Sequence, residues 1–139
     1  MAFKVAALLS IFMLTYILTP LVITSADTTS YRISLLVYNS LTNSKNLTFN
    51  TNIAYRGILL GAMRRIQAAN KNFRFTIKED LDYGPFLVSV NGVAEDNKKH
   101  TYWNLLVIPQ NGTITRAKYG VGCYRPNPNE TVILKFTKW

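Results

Sequence analysis

Hydrophobic and polar side chains alternate with period two from Tyr31 to Tyr38, with Ile33, Leu35 and Val37 on one side and Arg32 and Ser34 on the other. That spacing points successive side chains to opposite faces and, with β-branched residues in it, predicts a strand. Asn39 to Asn46 is polar and rich in turn formers. Leu47 to Ile53 predicts a weaker second strand, paired with the first as an antiparallel hairpin. From Gly57 the period changes. Steps of about 100° per residue gather Ile58, Leu59, Ala62, Met63, Ile66 and Ala69 into one stripe and leave Arg64 and Lys71 opposite. The stripe predicts an amphipathic helix from Gly57 to Asn70.

Alternation returns at Phe73, Phe75 and Ile77. An acidic stretch, Glu79, Asp80 and Asp82, leads into a Tyr83-Gly84-Pro85 turn. Strands are expected at Phe86–Val90 and Tyr102–Ile108, around a polar tip at Glu95–Lys99. Asn111-Gly112 is a turn signal, and Gly120 and Gly122 lie among aromatic residues. In the final stretch, Thr131–Trp139, Val132, Leu134 and Phe136 alternate with polar residues. Two strands, one helix and several further strands predict an α+β domain: a small mixed or antiparallel sheet packed on one helix in a β-grasp-like arrangement. Ile33, Leu35, Ile58, Ala62, Ile66, Leu134 and Phe136 are expected to be buried together, strand face against helix stripe.

Residues 1–26 follow another pattern. Lys4 is the only charge before Asp27, an apolar run from Val5 to Leu14 follows it, Pro20 interrupts the segment and Thr24-Ser25-Ala26 closes it. A positive start, a short apolar middle and a small-residue exit predict a secretory signal peptide cleaved after Ala26. An uncleaved signal anchor is the alternative, because no charge interrupts Val5 to Ala26. The expected division is a signal peptide at 1–26 and one domain at 27–139, secreted and without stable membrane insertion once the leader is removed. Three sequons, beginning at Asn46, Asn111 and Asn129, agree with export and predict exposed, glycosylated segments.

Composition narrows the chemistry. Apolar residues make up 48 % of the 139, enough to build a core, which excludes generic disorder. The 16 Lys+Arg against 7 Asp+Glu give a net charge of +9. In an exported chain that balance points to anionic glycans, membranes or no particular partner rather than to nucleic acid. One cysteine excludes an internal disulfide framework and a Cys-rich zinc module, and one histidine leaves no His-based metal site. Walker and GxGxxG loops are absent. The carboxylates of Glu79, Asp80 and Asp82 share one loop, whereas acid–base pairs usually come from different elements around a cleft. They read as a solvated acidic loop, His100 beside Lys98 and Lys99 reads as a surface residue, and Cys123 reads as a thiol buried beside Tyr124, with pairing to another molecule as the alternative. No enzyme is expected. Trp103 is open to two readings: a flat apolar wall for a large planar ligand, or a core residue sharing a strand face with Leu105 and Val107.

Four stretches carry a family resemblance: Gly84–Val93, Thr101–Leu106, Gly120–Pro126 and Glu130–Trp139. In order and spacing they resemble the C-terminal β-domain of the vitamin B12 carriers (transcobalamin, intrinsic factor and haptocorrin), a likeness extending over residues 31–139. The resemblance implies a secreted, non-enzymatic domain of the cobalamin-binding and transport type, with cobalamin or a similar large corrinoid as ligand and no metal bound directly by the chain. By position it places ligand contacts at Tyr83, Trp103, Leu105 and Ala117, with backbone groups near Gly84 and Gly120 making polar contacts. A leucine is usual where Ala117 stands, and Gly122-Cys123 replaces the usual Ala-Asp of the loop. The carriers also have a large N-terminal helical barrel; this chain is expected to be a free-standing β-domain without one, with a helical-barrel partner chain completing the pocket or a receptor as partner. The competing expectation is a secreted basic interaction module that kept the fold and lost the ligand. Arg56, Arg64, Arg65, Lys71 and Arg74 would then meet an anionic glycan or protein.

Overall fold

The computed structural model describes residues 29–139; the expected leader at 1–26 lies outside the described residues. In chain order the elements are β1 (Ser30–Asn39), β2 (Leu47–Ala54), α1 (Leu59–Ala69), β3 (Phe75–Asp80), β4 (Gly84–Val90), β5 (Val93–Ala94), β6 (Thr101–Ile108), β7 (Thr115–Arg116) and β8 (Thr131–Lys138). The fold is α+β. One sheet of five strands runs β2-β1-β8-β6-β7, and a second, of three, runs β3-β4-β5.

β1 and β2 form the expected antiparallel hairpin, with Ser30 opposite Ala54 and Val37 opposite Leu47. The last strand lies in the middle of the large sheet. β8 runs parallel to β1, with Leu35 opposite Val132 and Val37 opposite Leu134, and antiparallel to β6, with Leu105 opposite Leu134. The large sheet is thus mixed, as the β-grasp expectation required.

The period-two and period-3.6 stripes meet as expected. Ile33 and Leu35 of β1, Val132 and Leu134 of β8, and Leu59, Ala62, Met63 and Ile66 of α1 share one buried cluster. Burial removes their apolar surface from water, at about 25 cal/mol per Å², and this holds a single helix on the sheet. Phe73 completes the cluster from the link between α1 and β3, its ring 5.1 Å from that of Phe49.

Two members of the expected core lie outside this cluster: Phe136, which is buried against Trp103, and Ile58. Ile58 is 36 % exposed, because it is the extended N-cap residue (φ −88°, ψ 152°) and the helix begins one residue later. Leu60 is buried instead, and Ala69, in the last turn, faces solvent.

Ile58 has no side-chain oxygen to cap the helix. A helix leaves its first amide groups without internal partners, and they require acceptors. Here the carbonyl of Tyr124 accepts from the Leu59 amide at 2.8 Å and that of Val121 accepts from the Leu60 amide at 2.9 Å. The glycine-containing loop between β7 and β8 therefore rests on the start of α1.

Candidate functional site

β6 positions the site. Its side chains alternate, so Trp103, Leu105 and Val107 face the core side and Tyr102, Asn104 and Leu106 the other. Its backbone groups alternate as well. The Leu105 carbonyl accepts from the Ala117 amide at 2.9 Å, and Thr101 exchanges backbone bonds with Asp96. The odd-numbered residues of β6 therefore turn their N–H and C=O away from β8. Between Asp96 and Ala117, among the described residues, no strand flanks that edge of β6 at Trp103. The Trp103 backbone groups thus face outward from the edge of the sheet.

An open groove of about 740 Å³ lies along this edge, lined by residues 102–105 of β6 and 116–120 of the following chain. A smaller recess of about 180 Å³ continues inward between the two sheets and is walled by Leu87, Trp103, Leu105 and Val121, among others. Trp103, Leu105 and Ala117, the contacts that the resemblance implies, come together in the groove. Trp103 is half-buried, against the core on one side and the groove on the other. Its ring centroid lies 5.0 Å from that of Phe136, its indole N–H donates to the Val93 carbonyl at 2.8 Å, and the ring also lines the groove. The indole bond ties β5 of the small sheet to β6 of the large one.

Tyr83 does not line the groove. It sits at the tip of the β3–β4 hairpin, 83 % exposed, beside a Leu81 that is wholly exposed. Asp80 Oδ1 accepts from the Asp82 and Tyr83 amides and shapes the tip, with Gly84 at φ +70° closing the turn. The hairpin nevertheless reaches the site through Pro85. A Cβ on Gly122 would lie 2.4 Å from Pro85 Cγ, so the loop approaches the hairpin at a distance only glycine permits. This is a physical reason for glycine where the carrier pattern has alanine.

Cys123 is exposed, contrary to the expected burial beside Tyr124. The close approach at Gly122 and the two carbonyls aimed at α1 fix the loop so that Tyr124, not Cys123, turns inward. Tyr124 packs against the core and its hydroxyl donates to Glu130 Oε1. Glu130 is 2 % exposed and also accepts from Asn127 Nδ2 at 3.1 Å. Burial, and next the hydrogen bond to the Glu130 carboxylate, push the Tyr124 phenol above its ordinary range. This buried polar pair anchors the loop from beneath.

The expected contacts left out Tyr102 and Tyr119 and three polar or charged residues of the groove. Asn104, Arg116 and Lys118 line it, and the Asn104 Oδ1 atom is buried without a hydrogen-bond partner. His100 lies outside the lining, exposed, with its ring edge-on to Trp139 at 5.2 Å. In the basic set, Arg56 lies over the Tyr55 ring and two side chains hydrogen-bond to nearby carbonyls. Arg65 donates to the Asn52 carbonyl, and Arg74 donates to the carbonyls of Gln67, Asn70 and Phe73 around the end of α1. Asn46, Asn111 and Asn129 are all exposed.

Residues 58–138 match the family described as Domain of unknown function (DUF4430). The chain belongs to the DUF4430 family. This DUF4430 chain is similar to human (Homo sapiens) Transcobalamin-1, with 28 % identity over 88 residues, covering 63 % of the chain and 19 % of that relative. It thus spans about a fifth of the length of the curated relative it matches. Among solved structures it resembles haptocorrin in complex with Cbi, with a TM-score of 0.67 and 20 % identity over 83 % of this chain and 27 % of that one. A Ruminococcus gnavus protein named as metal binding shares the fold at a TM-score of 0.52 and 13 % identity, over 78 % of this chain and 98 % of that one. Among the described residues of the DUF4430 chain, no group of three or more His, Cys, Asp or Glu is placed to hold a metal ion. The likeness to the C-terminal domain of the cobalamin carriers, expected from the sequence, is borne out.

Proposed function

We propose that this chain is a non-enzymatic corrinoid-binding domain of the cobalamin-carrier type. The observation that carries the reading is the convergence of Trp103, Leu105 and Ala117 on one groove, in a chain similar to Transcobalamin-1. The groove suits a large, amphiphilic, roughly planar ligand. Trp103 and Tyr119 offer flat apolar surface, and the outward backbone groups of Trp103 offer one donor and one acceptor. Small-molecule sites generally cover most of their ligand, and this groove is open. A second wall, supplied by a helical-barrel partner chain, would close it. Tyr83, which stands clear of the groove, is assigned to the rim, where a ligand wider than the groove would meet it.

The reading extends to location. Residues 1–26 act as a cleaved signal peptide, 27–139 form the secreted domain, and Asn46, Asn111 and Asn129 carry glycan. No helix among the described residues is long and apolar enough to cross a membrane. The basic-module alternative is the weaker reading, because Arg65 and Arg74 are committed to backbone carbonyls.

Titration with cyanocobalamin, following the corrin absorption bands, tests the proposal. A saturable spectral change is expected with the chain alone at micromolar concentrations, tighter when the helical barrel of a cobalamin carrier is added. No change at high micromolar concentration in either form overturns the reading.

A further inference from the structure

A strand edge carries unpaired N–H and C=O groups, and folds blunt such edges with charges, bulges or short strands. Among the described residues, the outer strands of this chain are treated unequally. β3 carries Lys78, Glu79 and Asp80 and a register shift at Thr76/Ile77, and β5 and β7 have two residues each. β2, at the far end of the large sheet from the groove, has none of these devices. Its eight residues hold no charged side chain and pair with β1 in unbroken register. In a chain with 16 Lys+Arg against 7 Asp+Glu, this is an uncharged stripe on a basic molecule. The ladder fixes what the edge presents. The Tyr55 amide donates to the Thr29 carbonyl at 2.9 Å, whereas the Ser34 amide turns the other way, to the Glu130 carbonyl at 3.0 Å. Odd-numbered residues of β2 therefore bond to β1, and Thr48, Asn50 and Asn52 turn their backbone groups outward. Arg65 donates to the Asn52 carbonyl at 3.0 Å and guards one end only.

We propose that β2 is a self-association edge, taken by β2 of a second copy of this chain in antiparallel register. The proposal is independent of the corrinoid reading. Pairing about a two-fold axis is isologous, so one strand serves as both surfaces. An axis through Asn50 sets Asn50 opposite the second copy's Asn50 and Thr48 opposite its Asn52, joined by about six backbone hydrogen bonds. The exposed side chains that meet, Thr48, Asn50 and Asn52, are neutral, so no like charges oppose each other. Asn50 Oδ1 accepts from Ser34 Oγ at 2.7 Å, which leaves Nδ2 to donate across the axis. Leu47, half-buried in one copy, comes opposite the second copy's Ile53 and loses apolar exposure. The two Arg65–Asn52 contacts stand four residues apart along the strands, about 14 Å, beyond the Debye length of about 8 Å at physiological salt. Asn46 lies before the strand, so glycan there leaves the ladder free. A strongly charged partner would find no countercharge on β2, and for that reason a second copy is the occupant the strand fits.

Sedimentation velocity on the secreted protein, from low to high micromolar concentration, tests the proposal. A reductant is kept present so that the exposed Cys123 cannot link copies. Wild type is expected to double in mass as concentration rises. Asn50→Lys and Asn50→Asp each place like charges opposite each other at the axis, and each is expected to weaken self-association by about tenfold or more. Mixing the two variants sets Lys against Asp and is expected to restore a dimer containing one of each. The Asn50 side chain is exposed, so both variants should melt close to wild type, which separates a lost edge from a lost fold. Wild type that stays monomeric at every concentration overturns the proposal. So does an Asn50→Lys protein that dimerises as well as wild type, since the contact would then lie elsewhere. A mixture of the two folded variants that remains monomeric overturns the two-fold pairing through Asn50.

Discussion

Replacing Trp103 separates its two roles. The indole makes two contacts of known kind: a tilted ring contact with Phe136 at 5.0 Å and an N–H bond to the Val93 carbonyl at 2.8 Å. Trp103→Phe keeps a ring against Phe136 and deletes only the hydrogen bond. The loss is about 1 kcal/mol, the usual net worth of such a bond. In a domain of this size that lowers the thermal midpoint by about 4 °C. Trp103→Ala removes the ring as well, and with it an aromatic pair and much apolar burial. The expected loss is about 3 kcal/mol, short of the cost at a fully buried site because the groove side is already open. Circular dichroism melts of the three proteins give the ranking: wild type highest, Phe slightly lower, Ala well below but still folded at room temperature. Binding gives the second axis. An anchor at a site centre is worth about 2–4 kcal/mol, so folded Trp103→Ala should bind cyanocobalamin at least thirtyfold more weakly. A Trp103→Phe melt identical to wild type would show that the indole does not join the two sheets. A folded Trp103→Ala protein with unchanged affinity would remove Trp103 from the site.

Gly122→Ala should destabilise by about 1–3 kcal/mol, because the new methyl meets Pro85 at 2.4 Å. The Gly122→Ala/Pro85→Ala double variant should recover much of this in denaturant melts, and strict additivity of the two changes would refute the contact. The raised Tyr124 phenol binds its proton more tightly in the folded chain than in the unfolded one. Its contribution is complete below pH 10.0, its ordinary value, and is lost as pH rises beyond that. Urea midpoints measured from pH 8 upward should fall less steeply in Tyr124→Phe than in wild type, and parallel curves would sink the argument. Material secreted by a glycosylating host should begin near Asp27 and lose mass on glycosidase treatment, whereas an intact Met1 would end the leader assignment. His100→Ala should leave corrinoid affinity unchanged, since His100 is outside the groove lining; a large loss would mean that the contacts are wrongly placed.

The fold was legible wherever a stripe repeats. The β1 alternation, the α1 stripe and the β8 alternation each name one face, and those faces met. Boundaries were harder. Ile58 fits the helical period but lies one residue before the helix, because backbone carbonyls from Val121 and Tyr124, distant in sequence, act as the cap. No local signal encodes an acceptor more than sixty residues away. β5 and β7 have two residues each, too short for any period to appear. In the candidate site, the resemblance named Trp103, Leu105 and Ala117, and these three line one groove. It did not name Asn104, because the distinguishing property of Asn104 is an unmet hydrogen bond, and that exists only once the surrounding chain has closed around it. Cys123 was misread because burial was assigned to the thiol from its chemistry, while the loop is oriented by its backbone.

The placement of β8 has a consequence for how the chain is made. The last eight-residue strand separates β1 from β6 and bonds to both. Until it leaves the ribosome, β1 and β2 are an isolated hairpin, and such hairpins are marginal in water. β6 meanwhile waits with one long edge bare. The parallel pairing of β1 with β8 then closes nearly the whole chain into a single loop, a slow step for any topology dominated by distant contacts. Assembly of the large sheet is therefore held back until β8 has been made, and each nascent molecule spends that interval with exposed strand edges, the state most prone to pair with a neighbour. A premature stop anywhere before β8 would not trim the domain; it would leave two half-sheets with nothing between them.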